Sequence, residues 1–290
     1  MVRTISYREA ITEALTQEMA RDTSILLMGA DVTRRLPKFP GRVLDTPTSE
    51  ATVVGAAIGA AACGQRPVAE LTSGGCFDQI FTQGAKPRSL FGRAARTPVV
   101  IRCRYPVFTH VPGLTVVVPS SPYEAKGLLI QSIRDDAPVI FCEHEALYET
   151  RGDVPRDSYT IPFGQAHVVR EGDDVTIVAF GRMVAVAVEA GDELRASGVA
   201  AEIIDPRTTS PLDTGTILRS VEKTGRLVVV DEASPRGNLA ADVSALVAHE
   251  AFGSLRAPIE MVTSSFDAFE DLPDAQKVRN AAKTAVAYRR

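Results

Sequence analysis

Short apolar runs alternate with helical segments along this chain, and the alternation happens twice. In the first half, SILLMGAD (24–31), RPVAEL (66–71), TPVVIR (97–102), GLTVVVP (113–119) and APVIFCE (137–143) read as buried strands. Helices are expected between them. Ser6-Tyr7-Arg8-Glu9 is a capping-box pattern, and Ile11, Ala14, Leu15 and Met19 follow at helical spacing. Further helices are expected at 51–63, 77–91 and 121–136; in the last, Ser121 caps, Pro122 takes the first position and Glu124 completes the box. Strands this apolar, separated by helices, imply a parallel sheet covered on both faces. A polar stretch without helical period, 146–165, reads as a linker. The pattern then restarts, with strands at 174–180, 200–205, 226–231 and 257–263 and helices at 182–197, 213–223, 237–251 and 272–287. The fold class is therefore α/β with two domains, 1–145 and 166–290, and 290 residues suffice for two cores.

Charge and cysteine content narrow the function classes. The net charge is -4 with both signs interspersed, so no basic stripe points to nucleic acid or an anionic membrane. Cys63, Cys76, Cys103 and Cys142 form no CxxC pair and read as reduced, buried thiols of a cytoplasmic protein. No signal-peptide pattern is evident, and the small-residue run 51–63 is too short and glycine-rich to span a bilayer. No His lies near a Cys or acid at a metal-ligand spacing.

One acid stands apart. In VLDTPTSEATVVGAAIGAAACG (43–64), Ser49 is expected to cap a helix whose first residue is Glu50. An acid in a first helical turn often does no more than complement the helix dipole. Gly55 and Gly59, among alanines, also leave a bare face that another backbone or a bound ring can approach closely. The helix follows a strand-like segment, and ligands of α/β sheets gather at such strand-to-helix turns.

DTPTSEATVVGAAIGAAACGQRPVAEL, together with FDQIFTQGAK (77–86), FTHVPGLTVVVPSSPYEAKGLLIQSIRDDAPVIFCEHEALY (108–148), IDPRTTSPLD (204–213) and VVVDEASPRGNLAADVSALVA (228–248), resembles a known family. It is that of the beta subunits of thiamine-diphosphate-dependent 2-oxo acid dehydrogenase first components, which serve pyruvate, branched-chain and acetoin dehydrogenase complexes. YPVFTHVPG and DEASPRGNLA look most like the acetoin branch. The resemblance implies an N-terminal pyrimidine-binding parallel-sheet domain and a transketolase C-terminal-like domain. It implies that Glu50 contacts N1′ of the aminopyrimidine of thiamine diphosphate and helps form the imino tautomer that removes the C2 proton. Gly55 is expected at the cofactor as well.

The resemblance also implies decarboxylation or C–C cleavage followed by acyl transfer to a lipoyl group. The diphosphate and its Mg²⁺ belong to an alpha subunit with a GDG motif, and no GDG occurs in this chain. An α2β2 heterotetramer docked on a lipoyl acyltransferase core is thus expected. A potassium ion is implied at Ser132, Ile133, Asp135 and Ala137, through backbone carbonyls and the Asp135 carboxylate. Relatives usually carry a Gly-rich loop with a QHSQ segment before the stretch matching YPVFTHVPG; here VIRCRYPVFTH runs straight through, and His110 is not the matching position. Segments 30–41, 70–80 and 262–277 are short as well, and 70–80 lacks the aromatic cluster expected against the aminopyrimidine. An alternative function is therefore a catalytically inactive partner or assembly subunit with the same fold.

Overall fold

The computed structural model describes residues 2–71, 76–92, 96–104, 108–265 and 271–289. In chain order the elements are β1 (Val2–Ser6), α1 (Tyr7–Arg21), β2 (Ile25–Gly29), α2 (Val32–Arg35), β3 (Val43–Asp45), α3 (Glu50–Ala62) and β4 (Arg66–Glu70). A π-helix (Gln79–Ala85), α4 (Pro87–Phe91), β5 (Val100–Cys103), β6 (Thr115–Val117), α5 (Pro122–Arg134), β7 (Val139–Cys142) and β8 (Arg151–Pro155) follow. Then come β9 (His167–Arg170), β10 (Val175–Ala179), α6 (Met183–Ala196), β11 (Ala201–Asp205), β12 (Thr208–Ser210), α7 (Thr214–Thr224), β13 (Leu227–Val230), α8 (Leu239–Glu250), β14 (Glu260–Val262) and α9 (Ala275–Ala287). No helix among the described residues is long and apolar enough to cross a membrane.

The first unit runs to Phe163 and takes in Thr208–Pro211. Its main sheet has the order β12-β6-β7-β5-β4-β2-β3, parallel except for β12 on β6. Period-two alternation divides the strand side chains between two cores. Val68, Val100, Val139 and Phe141 meet Ile11, Leu15 and Met19 of α1 and Leu128 and Leu129 of α5 on one face. Ala69, Ile101, Ile140 and Cys142 meet Val54, Ala57 and Ile58 of α3 and Ile80 of the π-helix on the other. The Ser6 box closes α1: the Glu9 amide donates to Ser6 Oγ (3.2 Å) and the Ser6 amide to Glu9 Oε2 (2.7 Å). At α5 the Glu124 amide reaches Ser121 Oγ (3.3 Å), but the Glu124 carboxylate takes the Ser120 amide (3.0 Å) instead of completing a box on Ser121.

The stretch read as a linker is largely built into this unit. β8 pairs antiparallel with β1, from Val2 opposite Pro155 to Ser6 opposite Arg151. Ile161 is buried in the α1–α5 core. α5 passes so close that a Cβ on Gly127 would sit 2.7 Å from Ile161 and Tyr159. The division falls at Phe163/Gly164, and β12 returns from the later sequence to the first sheet. At the abrupt join in VIRCRYPVFTH, β5 runs through Arg102 and Cys103 in register with Phe141 and Cys142; residues 105–107 lie outside the described residues.

The second unit covers Gly164–Arg207 and continues from Leu212. Its sheet order is β14-β13-β10-β11-β9, parallel except for β9 on β11. α6 and α9 cover one face, and α7 and α8 the other.

Candidate cofactor site

The site region of the first unit is the carboxyl end of its sheet, where β3 turns into α3. The Thr46 amide donates to Gly29 O (2.9 Å), which ties the turn to β2. Glu50 opens α3 as expected and is half-buried. Ser49 does not cap it: at φ -89° and ψ 81° its side chain takes no helical amide, and its Oγ lies 2.9 Å from Thr52 Oγ1. Glu50 is therefore the acid that complements the dipole of this turn. Its charge is felt inside the core. Burial pushes the Cys76 thiol up to about 11, with Glu50 the next contributor. Cys76 is 2% exposed, so the acid stands at the edge of apolar packing.

Gly55 lies elsewhere on the helix. Five residues on, it is rotated by about 140° from Glu50, so the two do not share a face. A Cβ there would lie 3.2 Å from Gln79 Oε1 of the π-helix, whereas Gly59 faces open space. The bare side of α3 thus receives a side chain of this same chain at Gly55.

An aromatic group that the sequence reading missed assembles beside Cys76. The Phe77 and Phe108 rings are 5.1 Å apart, Phe81 meets Phe108 edge-on at 5.8 Å, and His110 meets Phe81 edge-on at 6.0 Å. Phe77 remains 45% exposed, so one ring of the group is open to a ligand. Residues 72–75, within the short 70–80 segment, lie outside the described residues.

Charges also meet across the strand ends. Arg102 of β5 stands between Glu70, at the end of β4, and Glu143, which follows β7. Its Nη2 donates to Glu143 Oε2 at 2.9 Å, and Arg35 adds a second cation to Glu70. Burial opposes the guanidinium charge, and Glu143 and Glu70 outweigh it, so the Arg102 pKa is raised. The Tyr148 hydroxyl donates to Glu143 Oε2 (3.1 Å), and burial, then Glu143, pushes that phenol up to about 12. The available signal was a charged residue at the end of each of three apolar runs, RPVAE, VIR and VIFCE. Of the cysteines, Cys76, Cys103 and Cys142 are free and buried, and Cys63 is exposed, contrary to the reading of all four as buried.

The residues singled out for potassium sit at the end of α5. Arg66 Nη1 donates to Ile133 O (3.1 Å) and Asp135 O (2.7 Å), while its Nη2 reaches Asp136 Oδ1 (2.6 Å). Of the three carbonyls expected there, that of Ile133 thus meets a resident guanidinium, as does the backbone carbonyl of Asp135, a residue expected through its carboxylate. The Asp135 carboxylate accepts from the Ala137 amide (2.8 Å), and Ser132 Oγ donates to Leu128 O (2.7 Å). No cluster of three or more His, Cys, Asp or Glu residues suited to a metal occurs among the described residues.

With this geometry in hand, the relatives define the class. Residues 3–107 and 103–151 match the family described as "Transketolase, pyrimidine binding domain", and 164–279 match "Transketolase, C-terminal domain". A solved structure titled "Split gene transketolase, inactive beta4 tetramer" shares the fold, with a TM-score of 0.80 at 24% identity over 99% of both chains. The chain is 50% identical to the beta subunit of acetoin:2,6-dichlorophenolindophenol oxidoreductase of Cupriavidus necator, covering 100% of this chain and 98% of the relative. It is 44% identical to the Bacillus subtilis protein of the same name (91% and 90% covered) and 41% identical to the Bacillus subtilis pyruvate dehydrogenase E1 component subunit beta (88% of each). The chain belongs to the family of beta subunits of thiamine-diphosphate-dependent 2-oxo acid dehydrogenase first components. The Cupriavidus alignment spans 331 positions against 290 residues here, so that relative carries insertions this chain lacks.

Proposed function

We propose that this chain is the beta subunit of an acetoin-cleaving or 2-oxo acid dehydrogenase and supplies the aminopyrimidine half of a thiamine diphosphate site. The observation that carries the reading is the placement of Glu50: a half-buried carboxylate in the first turn of α3, its charge acting on the buried Cys76 beside the Phe77–Phe81–Phe108 rings. That surround suits a flat aromatic ring with a protonatable nitrogen. When bound, thiamine diphosphate supplies the carbanion chemistry and the electron sink for C–C cleavage. Glu50 holds the proton shared with N1′ of the ring. The exposed face of Phe77 offers apolar packing to the ring. Gly55 acts indirectly, admitting Gln79 against α3.

Acetoin is favoured over 2-oxo acids as substrate by the 50% and 44% identical relatives. The absence of a GDG motif supports an alpha partner holding the diphosphate and Mg²⁺ in an α2β2 assembly. Acyl transfer to a lipoyl core docked through the second unit, in the cytoplasm, rests on the family resemblance alone. Titration calorimetry tests the half-site. The chain alone should take up Mg²⁺–thiamine diphosphate weakly, and the chain with its alpha subunit tightly; tight uptake by the chain alone would refute the reading.

Potassium at Ser132, Ile133, Asp135 and Ala137 belongs to the same proposal. It rests on the family resemblance alone: the Ile133 carbonyl accepts from Arg66 and the Asp135 carboxylate from the Ala137 amide, so a bound cation has to displace those contacts. Thermal melts in KCl should then exceed those in tetramethylammonium chloride at equal ionic strength; equal melts would remove the site.

A second reading, an inactive assembly subunit, is favoured by the insertions missing relative to the Cupriavidus protein. The reconstituted complex would then bind cofactor without acetoin turnover.

A further inference from the structure

The amino ends of the first unit's strands carry a cation of their own. Arg66 opens β4 there, opposite Ile25 of β2, at the end of the sheet away from the β3–α3 turn. α5 ends beside it with carbonyls that its own backbone does not close. The Ala137 amide, four residues beyond Ile133, donates to Asp135 Oδ1 (2.8 Å) instead of to Ile133 O. The Arg66 guanidinium takes over that place. Its Nη1 donates to Ile133 O (3.1 Å) and to Asp135 O (2.7 Å), and its Nη2 donates to Asp136 Oδ1 (2.6 Å). The other oxygen of Asp136 faces Arg96 Nη1 at 3.0 Å.

Two features make this guanidinium a competitor for any metal cation at the same carbonyls. The C-terminus of a helix is electronegative, so its last carbonyls draw positive charge, and a guanidinium answers that demand with donors where an alkali ion answers it by coordination. Access follows from exposure. Ile133 is 2% exposed, whereas the Arg66 side chain keeps 24% of its surface open. An ion arriving from solvent gains the Ile133 carbonyl by taking the place of Arg66 Nη1.

We propose that Arg66 is the resident cation at the end of α5 and competes with potassium for the Ile133 and Asp135 carbonyls. Potassium binds when Nη1 leaves both carbonyls. The guanidinium then stays on Asp136, whose carboxylate is 44% exposed and holds it at the rim. Arg66 thereby sets the potassium concentration at which the ion is taken up. This inference rests on the potassium reading given above, and its test separates the two.

The test is amide hydrogen exchange of the full chain assembled with its alpha subunit, read on peptides covering 128–140. KCl replaces tetramethylammonium chloride at constant ionic strength. The segment holds none of the residues assigned to the cofactor ring, so the readout does not depend on turnover. In the wild type, protection should rise with KCl to a midpoint. Arg66→Met keeps an apolar stem and removes the guanidinium, and its midpoint should lie about tenfold lower, the equivalent of one charged hydrogen bond. Arg66→Lys keeps the charge without the fork that spans two carbonyls, so its midpoint should fall between the two. Potassium protection confined to the variants would be the limiting case of the same competition. A midpoint equal to the wild type in either variant would overturn competition for the carbonyls and leave potassium binding intact. No effect of potassium in any of the three chains would overturn the potassium reading, and the competition with it.

Discussion

The two units share one construction, a mainly parallel sheet between two helical layers, and differ in what stands at the carboxyl ends of the strands. In the second unit, buried acids there are turned onto their own loops. Asp205 Oδ1 takes the Arg207 amide (2.8 Å), and Asp231 takes the amides of Ala233 (3.0 Å), Leu239 (2.8 Å) and Ala240 (3.3 Å). In the first unit, Glu70, Arg102 and Glu143 face one another across three strands, and Glu50 opens α3. Acids at these strand ends of the second unit fix backbone; Glu70 and Glu143 of the first are engaged by charged side chains.

The sharpest break of this comparison is Arg102→Met. It leaves Glu70 and Glu143 buried near each other without their shared cation, and the expected loss is about 3–5 kcal/mol by urea unfolding. A loss under about 1 kcal/mol would mean that the strand-end charges are not a coupled set. Next is Asp231→Asn in the second unit. The replacement turns an amide donor toward backbone donors, and about 1–3 kcal/mol should be lost. Thr176→Val removes hydroxyl contacts to Ser220 (2.7 Å) and Thr224 (2.8 Å) in the buried interior, with about 1 kcal/mol expected.

The smallest effect is a pH dependence. Burial raises the Asp213 carboxyl, but the amides of Ala166 and Thr216 and the Thr216 hydroxyl outweigh it, so its pKa is lowered from 3.8. A carboxylate lowered in the folded state contributes stability that is present above pH 3.8 and lost as pH falls through the folded value. Asp213→Asn should therefore flatten the acid limb of the urea-midpoint profile below about pH 4. An unchanged limb would show that this cap carries no acid lability.

Legibility followed the apolar period and the caps. Strands such as β5, β7 and β13 are fully buried runs, and α1 and α5 announce themselves by Ser6 and by Ser121-Pro122. β1, β8, β9 and β12 were not legible, because edge and ribbon strands such as RGDVP need no apolar alternation. The aromatic group was missed because Phe77, Phe81 and Phe108 meet only when the segment before β6 folds onto the π-helix. The Arg102 cluster depends on the neighbour order β7-β5-β4, which no local pattern carries. Glu50 itself was legible as a first-turn acid, but its role came from the family resemblance, and Ser49 followed its pair with Thr52 instead of the expected cap.

The central claim is that Glu50 shares a proton with the cofactor ring. Hydrogen–deuterium exchange at the cofactor C2 in the reconstituted α2β2 complex measures it most directly. Glu50→Gln keeps the helix fit and changes stability by only about 0.3–1 kcal/mol. The account predicts unchanged assembly and an exchange rate lowered by about 10²–10⁴, the usual contribution of a positioned acid–base group. Exchange at the wild-type rate in a correctly assembled Glu50→Gln complex would contradict it, and Glu50 would then be only the acid that complements the α3 dipole.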